Sequence, residues 1–330
     1  MFQTKFLGVR VFLWGFLLGQ AGVLITFLGV LLHMILAVEH VGSPSRQAWL
    51  AWAGGLMTLL AVIMVLLEIF LVLPLRRRYP RRAEGDGFKV SGVTVALTAY
   101  NDEESIGPSV ADFLSYPLVK RVIVVSNNSE DRTFERAQKA GAIVLNEQRV
   151  GYGWCVFRCL SEAAAYDDTE CIALCEGDMT FRARDLTKML AYLPHAEIVN
   201  GTRIVEQLRA YSTQLTTFMY YGNFFVGKLL EAKHFGKGTF TDVGTTYKIL
   251  RRDALLKLLP VLNPAINLEF NAHFLDTALS GNVALLECPI TFHARVGESK
   301  GGNVNDFRAV KVGLRMIFGL IFGWKRNSLK

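Results

Sequence analysis

Two stretches constrain this chain before any motif is read. Val11 to Val38 contains no charged residue, and Gln47 to Leu75 contains one, Glu68. A helix needs about 20 apolar residues to cross a bilayer, and both stretches are longer. The first also exceeds the apolar core of a cleavable signal. The sequence therefore predicts a membrane anchor of two transmembrane helices over residues 1–82, followed by a domain of another kind. Lys5 and Arg10 precede the first stretch, and Arg76, Arg77, Arg78, Arg81 and Arg82 follow the second. The connector, residues 39–46, carries little positive charge. Cytoplasmic flanks of membrane helices are rich in Lys and Arg. An integral membrane protein is expected, with its connector outside and everything after Arg82 in the cytoplasm. Glu68 falls near the cytoplasmic end of its span, where snorkelling or pairing with a nearby arginine is expected.

The net charge of +7 is read against that anchor. It suits an anionic membrane surface and phosphate ligands. No zinc-finger or aromatic RNA-binding signature accompanies it, so nucleic acid is not an expected partner. The five cysteines are Cys155, Cys159, Cys171, Cys175 and Cys288. A cytoplasmic domain keeps them reduced. Their C-x3-C pairs lie in apolar segments, which argues against zinc. The sequons at Asn127 and Asn200 would stay unmodified on that side of the membrane.

After a short polar linker, apolar and helical segments alternate. Val93–Ala99, Arg121–Val125, Ala142–Leu145 and Cys171–Cys175 read as buried strands. One helical pattern starts near Ile106, a second follows the turn at 126–131 and runs to about Ala140, and a third begins at Gly151–Gly153 and runs to about Tyr166. Alternation at this spacing predicts βαβ units and a parallel sheet. Ligands of such sheets bind at the carboxyl ends of strands. Three strand ends carry polar groups: Tyr100 to Asp102, Ser126 to Ser129, and Glu176 to Asp178. The last is an acid-x-acid pair, a source of hard oxygen ligands for Mg²⁺ or Mn²⁺, with phosphate oxygens to complete the shell. G-x-G at 151–153 lacks the third glycine of a dinucleotide fingerprint, and no glycine loop leads to a Walker lysine. Hydride transfer is therefore not expected.

The chain carries, in order, A-Y-N-D-E-E-S-I, V-V-S-N-N-S-E-D-R-T, R-V-G-Y-G, E-G-D, N-G-T-R, T-D-V-G-T-T-Y-K and E-C-P-I-T-F-H-A-R-V-G-E-S-K. From about Val93 to Lys300 this resembles family-two glycosyltransferases, in the branch of dolichyl-phosphate mannose synthases and polyprenyl-phosphate sugar transferases. The resemblance implies an α/β GT-A nucleotide-binding sandwich over residues 83–300 and inversion in a single displacement. It implies that Thr98, Tyr100, Asp102, Val125, Asn127 and Gly177 form the nucleotide site. Asn127 stands where an Asp is usual, which leaves the base open. Glu176 and Asp178 take the metal-binding D-x-D position, with Thr180 as a further metal contact. Arg203 matches an arginine that touches phosphate or sugar. Arg295 and Lys300 match basic residues that hold phosphates. Asp242 matches an acid near the acceptor, with two roles open: catalysis, or a hydrogen bond that fixes its loop. Glu269 matches a structural helix acid. His234, His273 and His293 have no metal-ligand spacing.

Two later segments carry membrane-facing patterns. Tyr211 to Leu230 is rich in Phe, Tyr and Leu, and fits a core helix equally. Asn303 to Trp324 places Arg308, Lys311 and Arg315 at helical spacing among apolar residues. Residues 301–330 thus read as an amphipathic helix lying in the interface. The expected partners are a nucleotide diphosphate sugar, a polyprenyl phosphate and the membrane; a homo-oligomer stays open. The alternatives are a family-two transferase acting on another lipid or a polysaccharide, or a non-catalytic partner subunit. A Q-x-x-R-W motif, expected of polysaccharide synthases, does not occur.

Overall fold

The structure is a computed structural model that describes residues 4–38, 44–72, 84–211, 213, 215–297 and 306–324. Lys300 and the arginines at 76–82 lie outside the described residues. The chain divides into two compact units, residues 1–79 with 231–236, and residues 80–230 with 237–330.

In the first unit, helix α1 (Thr4–Val38) packs on α2 (Pro44–Leu67), which continues through a wider turn at Glu68–Val72. Glycines set the contact. A Cβ on Gly22 would lie 2.9 Å from the Gly54 carbonyl oxygen, and one on Gly54 would lie 2.8 Å from that of Gly22. Neither position has room for a side chain, so the two backbones approach as closely as they do in membrane helix pairs. Phe12–Leu32 and Trp52–Leu71 are long and apolar enough to cross a membrane.

The second unit is built on seven strands: β1 (Val93–Ala99), β2 (Val119–Ser126), β3 (Ile143–Asn146), β4 (Cys171–Glu176), β5 (Ile198–Thr202), β6 (Lys248–Arg251) and β7 (Leu285–Pro289). Their order in the sheet is β3-β2-β1-β4-β6-β5-β7. The expectation of a parallel sheet holds for β3, β2, β1 and β4. β6, a strand the sequence reading did not include, is antiparallel to both β4 and β5, so the sheet is mixed. The helices are α3 (Ile106–Leu114), α4 (Thr133–Lys139), α5 (Tyr152–Ala164), α6 (Leu186–Tyr192), α7 (Thr217–Lys233), α8 (Arg252–Leu258), α9 (Phe270–Ser280) and α10 (Asp306–Phe322). Every residue of β1 is buried, as expected of a strand covered on both faces. Val95, Leu97, Val124, Phe113 and Tyr247 form the core of one face. On the other, the thiols of Cys155 and Cys159 donate to the carbonyls of Val125 and Leu97. All five cysteines are buried free thiols.

A strand at Ile290 to Ala294 is expected from the sequence, and the structure moves it. β7 ends at Pro289, opposite Thr202, where its partner β5 also ends. Beyond it the backbone donors turn to the loop after β4. Thr291 N donates to Asp185 Oδ2 at 2.8 Å, and His293 N donates to the Thr180 carbonyl at 2.9 Å. Phe292 keeps only an isolated bridge to Arg209. That detour delivers Arg295 to the end of β4.

α10 docks on α9 through a few specific groups. Arg315 Nη1 lies 3.3 Å from the buried Glu269, and Trp324 Nε1 donates to Asp276 at 2.7 Å. Met316 and Leu320 are buried beneath it. Phe307, Leu314, Phe318 and Phe322 remain exposed at i, i+7, i+11 and i+15, an apolar stripe on the opposite side. α7 has the same two-sided character. It buries Val226, Leu229 and Leu230 and exposes Phe218, Tyr221 and Phe225.

Candidate active site

The carboxyl ends of β1, β2 and β4 are adjacent, and main-chain bonds stitch their loops together. Gly177 N donates to the Thr98 carbonyl at 2.9 Å, and Asn127 N to that of Ala99 at 3.0 Å. Each loop contains one residue with left-handed backbone: Asn101 (φ 51°), Asn128 (φ 56°) and Met179 (φ 67°). Asparagine tolerates this conformation, and methionine does so at a cost. Strain of this kind concentrates at functional sites. Here it folds Thr180 back over its neighbour. Both the amide and the hydroxyl of Thr180 donate to Asp178 Oδ1.

Four of the expected site residues meet here. Asp178 is 2% exposed and Asp102 is 8% exposed. Arg295 joins them, with Nη1 2.9 Å from Asp178 Oδ2 and Nη2 2.7 Å from Asp102 Oδ1. Asp102 also caps its own loop, accepting from Tyr100 N at 2.9 Å. Glu176, immediately before Gly177, accepts from the Thr246 hydroxyl at 2.8 Å. Burial, and then the charge of Asp178, raise the Glu176 carboxyl to about 7. Glu176 and Asp178 are hard oxygen donors suited to a divalent cation. Among the described residues no group of three or more His, Cys, Asp or Glu is placed to hold a metal. Mg²⁺ typically takes one or two carboxylates and completes its shell with phosphate oxygens and water, and two carboxylates are what this strand end offers. Thr180 spends its hydroxyl on Asp178 and so orients that carboxylate.

Arg203 and Asp242 form a second, buried pair. Arg203 Nε and Nη2 reach the two Asp242 oxygens at 2.7 and 2.8 Å, and Arg203 N adds a third bond at 3.1 Å. Burial works to raise the Asp242 pKa, but the Arg203 charge and hydrogen bonds outweigh it and hold the carboxyl below the usual range. A carboxylate so held is a poor proton acceptor. The side chain fixes Arg203 and, through Gly244 N at 3.2 Å, its own loop.

Two residues expected in the nucleotide site are otherwise occupied. Asn127 donates to the carbonyls of Glu147 and Arg149, both at 2.9 Å, and accepts from Gly151 N at 2.9 Å. Its amide organises the 147–151 loop, with no donor left for a base. Val125 is fully buried within the sheet. Thr98 is buried and contributes its carbonyl to Gly177, while Tyr100 is 46% exposed at the loop's rim. A Cβ on Gly177 would lie 2.4 Å from Ile106 Cδ1, so a side chain there requires the buried Ile106 to shift.

Sequence reasoning assigned no role to the polar network behind Glu176. Thr246 bonds Tyr152 Oη, and Asn271 Nδ2 donates to Tyr152 Oη at 3.1 Å and to the Gly244 carbonyl at 3.1 Å. Asn271 Oδ1 accepts from Lys248 Nζ at 3.1 Å, and Lys248 also donates to the Thr245 carbonyl. Burial lowers the Lys248 pKa to about 7. The importance of this lysine shows only once β6 is seen to be wholly buried, because a buried Lys is kept only where partners satisfy it. Glu287 on β7 is the other omission. It accepts from Thr241 N, Thr241 Oγ1 and Asp242 N at 2.8, 2.7 and 3.1 Å.

Burial raises the Glu287 pKa to about 7, and this gives a pH test. The folded state holds the proton more tightly than the unfolded chain, whose carboxyl titrates near 4.3. The associated stability is present below that value and lost as pH rises through about 7. Glu287→Gln should therefore flatten the fall in unfolding temperature between pH 5 and 8. Parallel pH profiles of the variant and the wild-type protein would show Glu287 to be ionised throughout.

Comparison with known proteins places these observations. The model of the family described as "Glycosyl transferase family 2" matches residues 94–259. A dolichyl-phosphate hexose transferase of Haloferax volcanii is 27% identical over 210 residues, covering 63% of this chain and 86% of that one. An uncharacterized glycosyltransferase of Mycobacterium tuberculosis is 38% identical over 112 residues, 34% of this chain and 48% of that one. Among solved structures, glucosyl-3-phosphoglycerate synthase from Mycobacterium tuberculosis, in complex with Mn²⁺, uridine diphosphate and phosphoglyceric acid, superposes with a TM-score of 0.52 at 17% identity. That match covers 72% of this chain and 80% of the other.

Proposed function

The chain belongs to glycosyl transferase family 2, and from that premise we propose that it moves one sugar from a nucleotide diphosphate sugar to a polyprenyl phosphate at the cytoplasmic face of a membrane. The observation that carries this reading is the meeting of Asp102, Glu176, Asp178 and Arg295 at one sheet edge. The name of the Haloferax relative supports the lipid acceptor. Two apolar helices supply the anchor.

The roles follow from the chemistry. A phosphate monoester has a second pKa of about 6, so the acceptor is largely dianionic at neutral pH and needs no strong base. Asp242, locked to Arg203, fits that requirement by orienting a cation instead of accepting a proton. Arg203 and Arg295 bring positive charge to two anions that repel each other. A Mg²⁺ or Mn²⁺ ion held by Glu176 and Asp178 would stabilise charge on the leaving diphosphate. Asp102 and Tyr100 frame the nucleotide side of the site. Lys300 belongs to the same basic loop in sequence, and its contribution is part of this proposal. The stripe of Phe307, Leu314, Phe318 and Phe322 on α10, beside Arg308 and Lys311, suits the boundary of headgroups and acyl chains.

The deciding experiment incubates purified protein with a panel of nucleotide sugars and polyprenyl phosphates and identifies the lipid product by mass spectrometry. A glycosylated polyprenyl phosphate is the expected product. Transfer only to a different class of acceptor would overturn the assignment. Orientation is tested separately, in a background without native cysteines. A cysteine at Ser43 should react with an impermeant thiol reagent on intact cells, and one at Gly85 should not. The reverse pattern would rule out a cytoplasmic site.

A further inference from the structure

Arg295 makes contacts that phosphate binding alone does not call for. One planar guanidinium spans Asp102 at 2.7 Å and Asp178 at 2.9 Å, acids delivered by two different strands. Its side chain is 14% exposed, and theirs are 8% and 2% exposed. The flanking backbone is tied to the same turn, with Val296 N on the Asp178 carbonyl at 3.1 Å and His293 N on that of Thr180 at 2.9 Å. Burial works to lower the Arg295 pKa, and Asp178, Asp102 and Glu176 together raise it. The division of Asp178 is equally specific. Oδ1 receives Thr180, and Oδ2, the remaining oxygen, receives the guanidinium.

A divalent ion entering at Glu176 and Asp178 therefore meets an oxygen already committed to a cation. Two cations on one carboxylate oxygen repel strongly at such separations. We propose that Arg295 is the resident counter-ion of this acid cluster, and that a divalent cation exchanges with it, freeing Nη1 for a phosphate oxygen. The proposal rests on the reading of Glu176 and Asp178 as metal ligands. It also gives an order to assembly. Metal alone has to displace the guanidinium into water. Metal arriving with a diphosphate offers that guanidinium a new anionic partner, which it can grip in bidentate fashion. The buried acids are thus compensated at every stage, as the cost of leaving buried charge unpaired requires.

The test measures Mn²⁺ binding to the full-length protein in detergent by equilibrium dialysis, first without nucleotide and then with UDP or GDP. Wild-type protein should bind Mn²⁺ weakly alone and tightly with a diphosphate. Arg295→Met removes the competitor and should tighten binding of Mn²⁺ alone about tenfold or more, shrinking the gain from nucleotide. Arg295→Lys keeps the charge but cannot span two carboxylates, and should fall between, at roughly threefold tighter than wild type. Unchanged or weaker Mn²⁺ binding in both variants would overturn the exchange. Wild-type affinity in Arg295→Lys beside tighter binding in Arg295→Met would also overturn it, because charge alone would then be at work. Should Arg295→Met fail to fold, Arg295→Lys decides the matter by the same threefold criterion. If wild-type protein binds no Mn²⁺ with either nucleotide, the metal reading itself fails, and the proposal with it. Asp178→Asn, which should lose the Mn²⁺ in every condition, confirms which site is being measured.

Discussion

Asp178→Asn should lower sugar transfer at least a hundredfold while leaving the fold intact. The asparagine keeps the shape of the aspartate, and its oxygen still accepts from the Thr180 amide that reaches Oδ1 at 3.0 Å. Its amide group, however, replaces the oxygen that faces Arg295 Nη1 at 2.9 Å, setting donor against donor. A charge ligand for the cation is lost at the same stroke. Removing one stabilising group from a developing oxyanion typically costs about 3 kcal/mol, close to a hundredfold in rate. Initial rates of lipid-linked product, together with a thermal melt, check the claim. Excess EDTA should abolish wild-type transfer, and Mg²⁺ or Mn²⁺ should restore it. Retention of more than a tenth of the activity by Asp178→Asn, or full activity in EDTA, would remove this carboxylate from the reaction.

Asp242→Ala should destabilise the second unit severely. The substitution strands a guanidinium that is 9% exposed and otherwise held by two Asp242 oxygens at 2.7 and 2.8 Å. Breaking one side of a buried ion pair costs about 3–5 kcal/mol, because the surviving charge is left uncompensated in a buried site. At roughly 2–4 °C per kcal/mol for a domain of this size, the unfolding temperature should drop on the order of 10 °C. The double variant Asp242→Ala/Arg203→Met should recover much of that loss, since no uncompensated charge remains. It should still be inactive, as Arg203 is gone. Differential scanning fluorimetry on the single and double variants separates the two roles of Asp242. A positioning acid gives the large loss and the partial rescue. A general base would leave stability nearly unchanged and remove only the rate, and that result would return Asp242 to proton transfer.

Local signals carried much of the fold. The two long apolar helices were legible because hydropathy over about 20 residues needs no knowledge of neighbours. β1 and β4 stood out as short apolar runs closed by polar turns, and the structure has them at Val93–Ala99 and Cys171–Glu176. The E-G-D turn was equally visible, since an acid pair at the end of such a run is itself a local pattern. The parallel sheet expected from the first four strands holds for them, and the mixed character of the whole sheet was not legible. β6 enters between β4 and β5 in the opposite direction, and no local periodicity records which strand a segment pairs with or in which sense.

Which charge meets which was decided only by the tertiary structure. Arg203 finds Asp242 across 39 residues, Arg295 finds Asp178 across 117, and it finds Asp102 across 193. Asn127 shows the converse. The family resemblance implied a nucleotide contact for it, and in the structure its three side-chain bonds go to the backbone of the 147–151 loop. Lys248 and Glu287 gave little sign in the sequence because their significance is burial, and burial follows from packing distant segments together. The amino-acid sequence alone determined where this chain is apolar, where it turns, and which acids stand at the end of β4. The folded sheet determined that Asp102 and Asp178 share one guanidinium, because only the adjacency of β1 and β4 brings their carboxyl ends within reach of a single side chain.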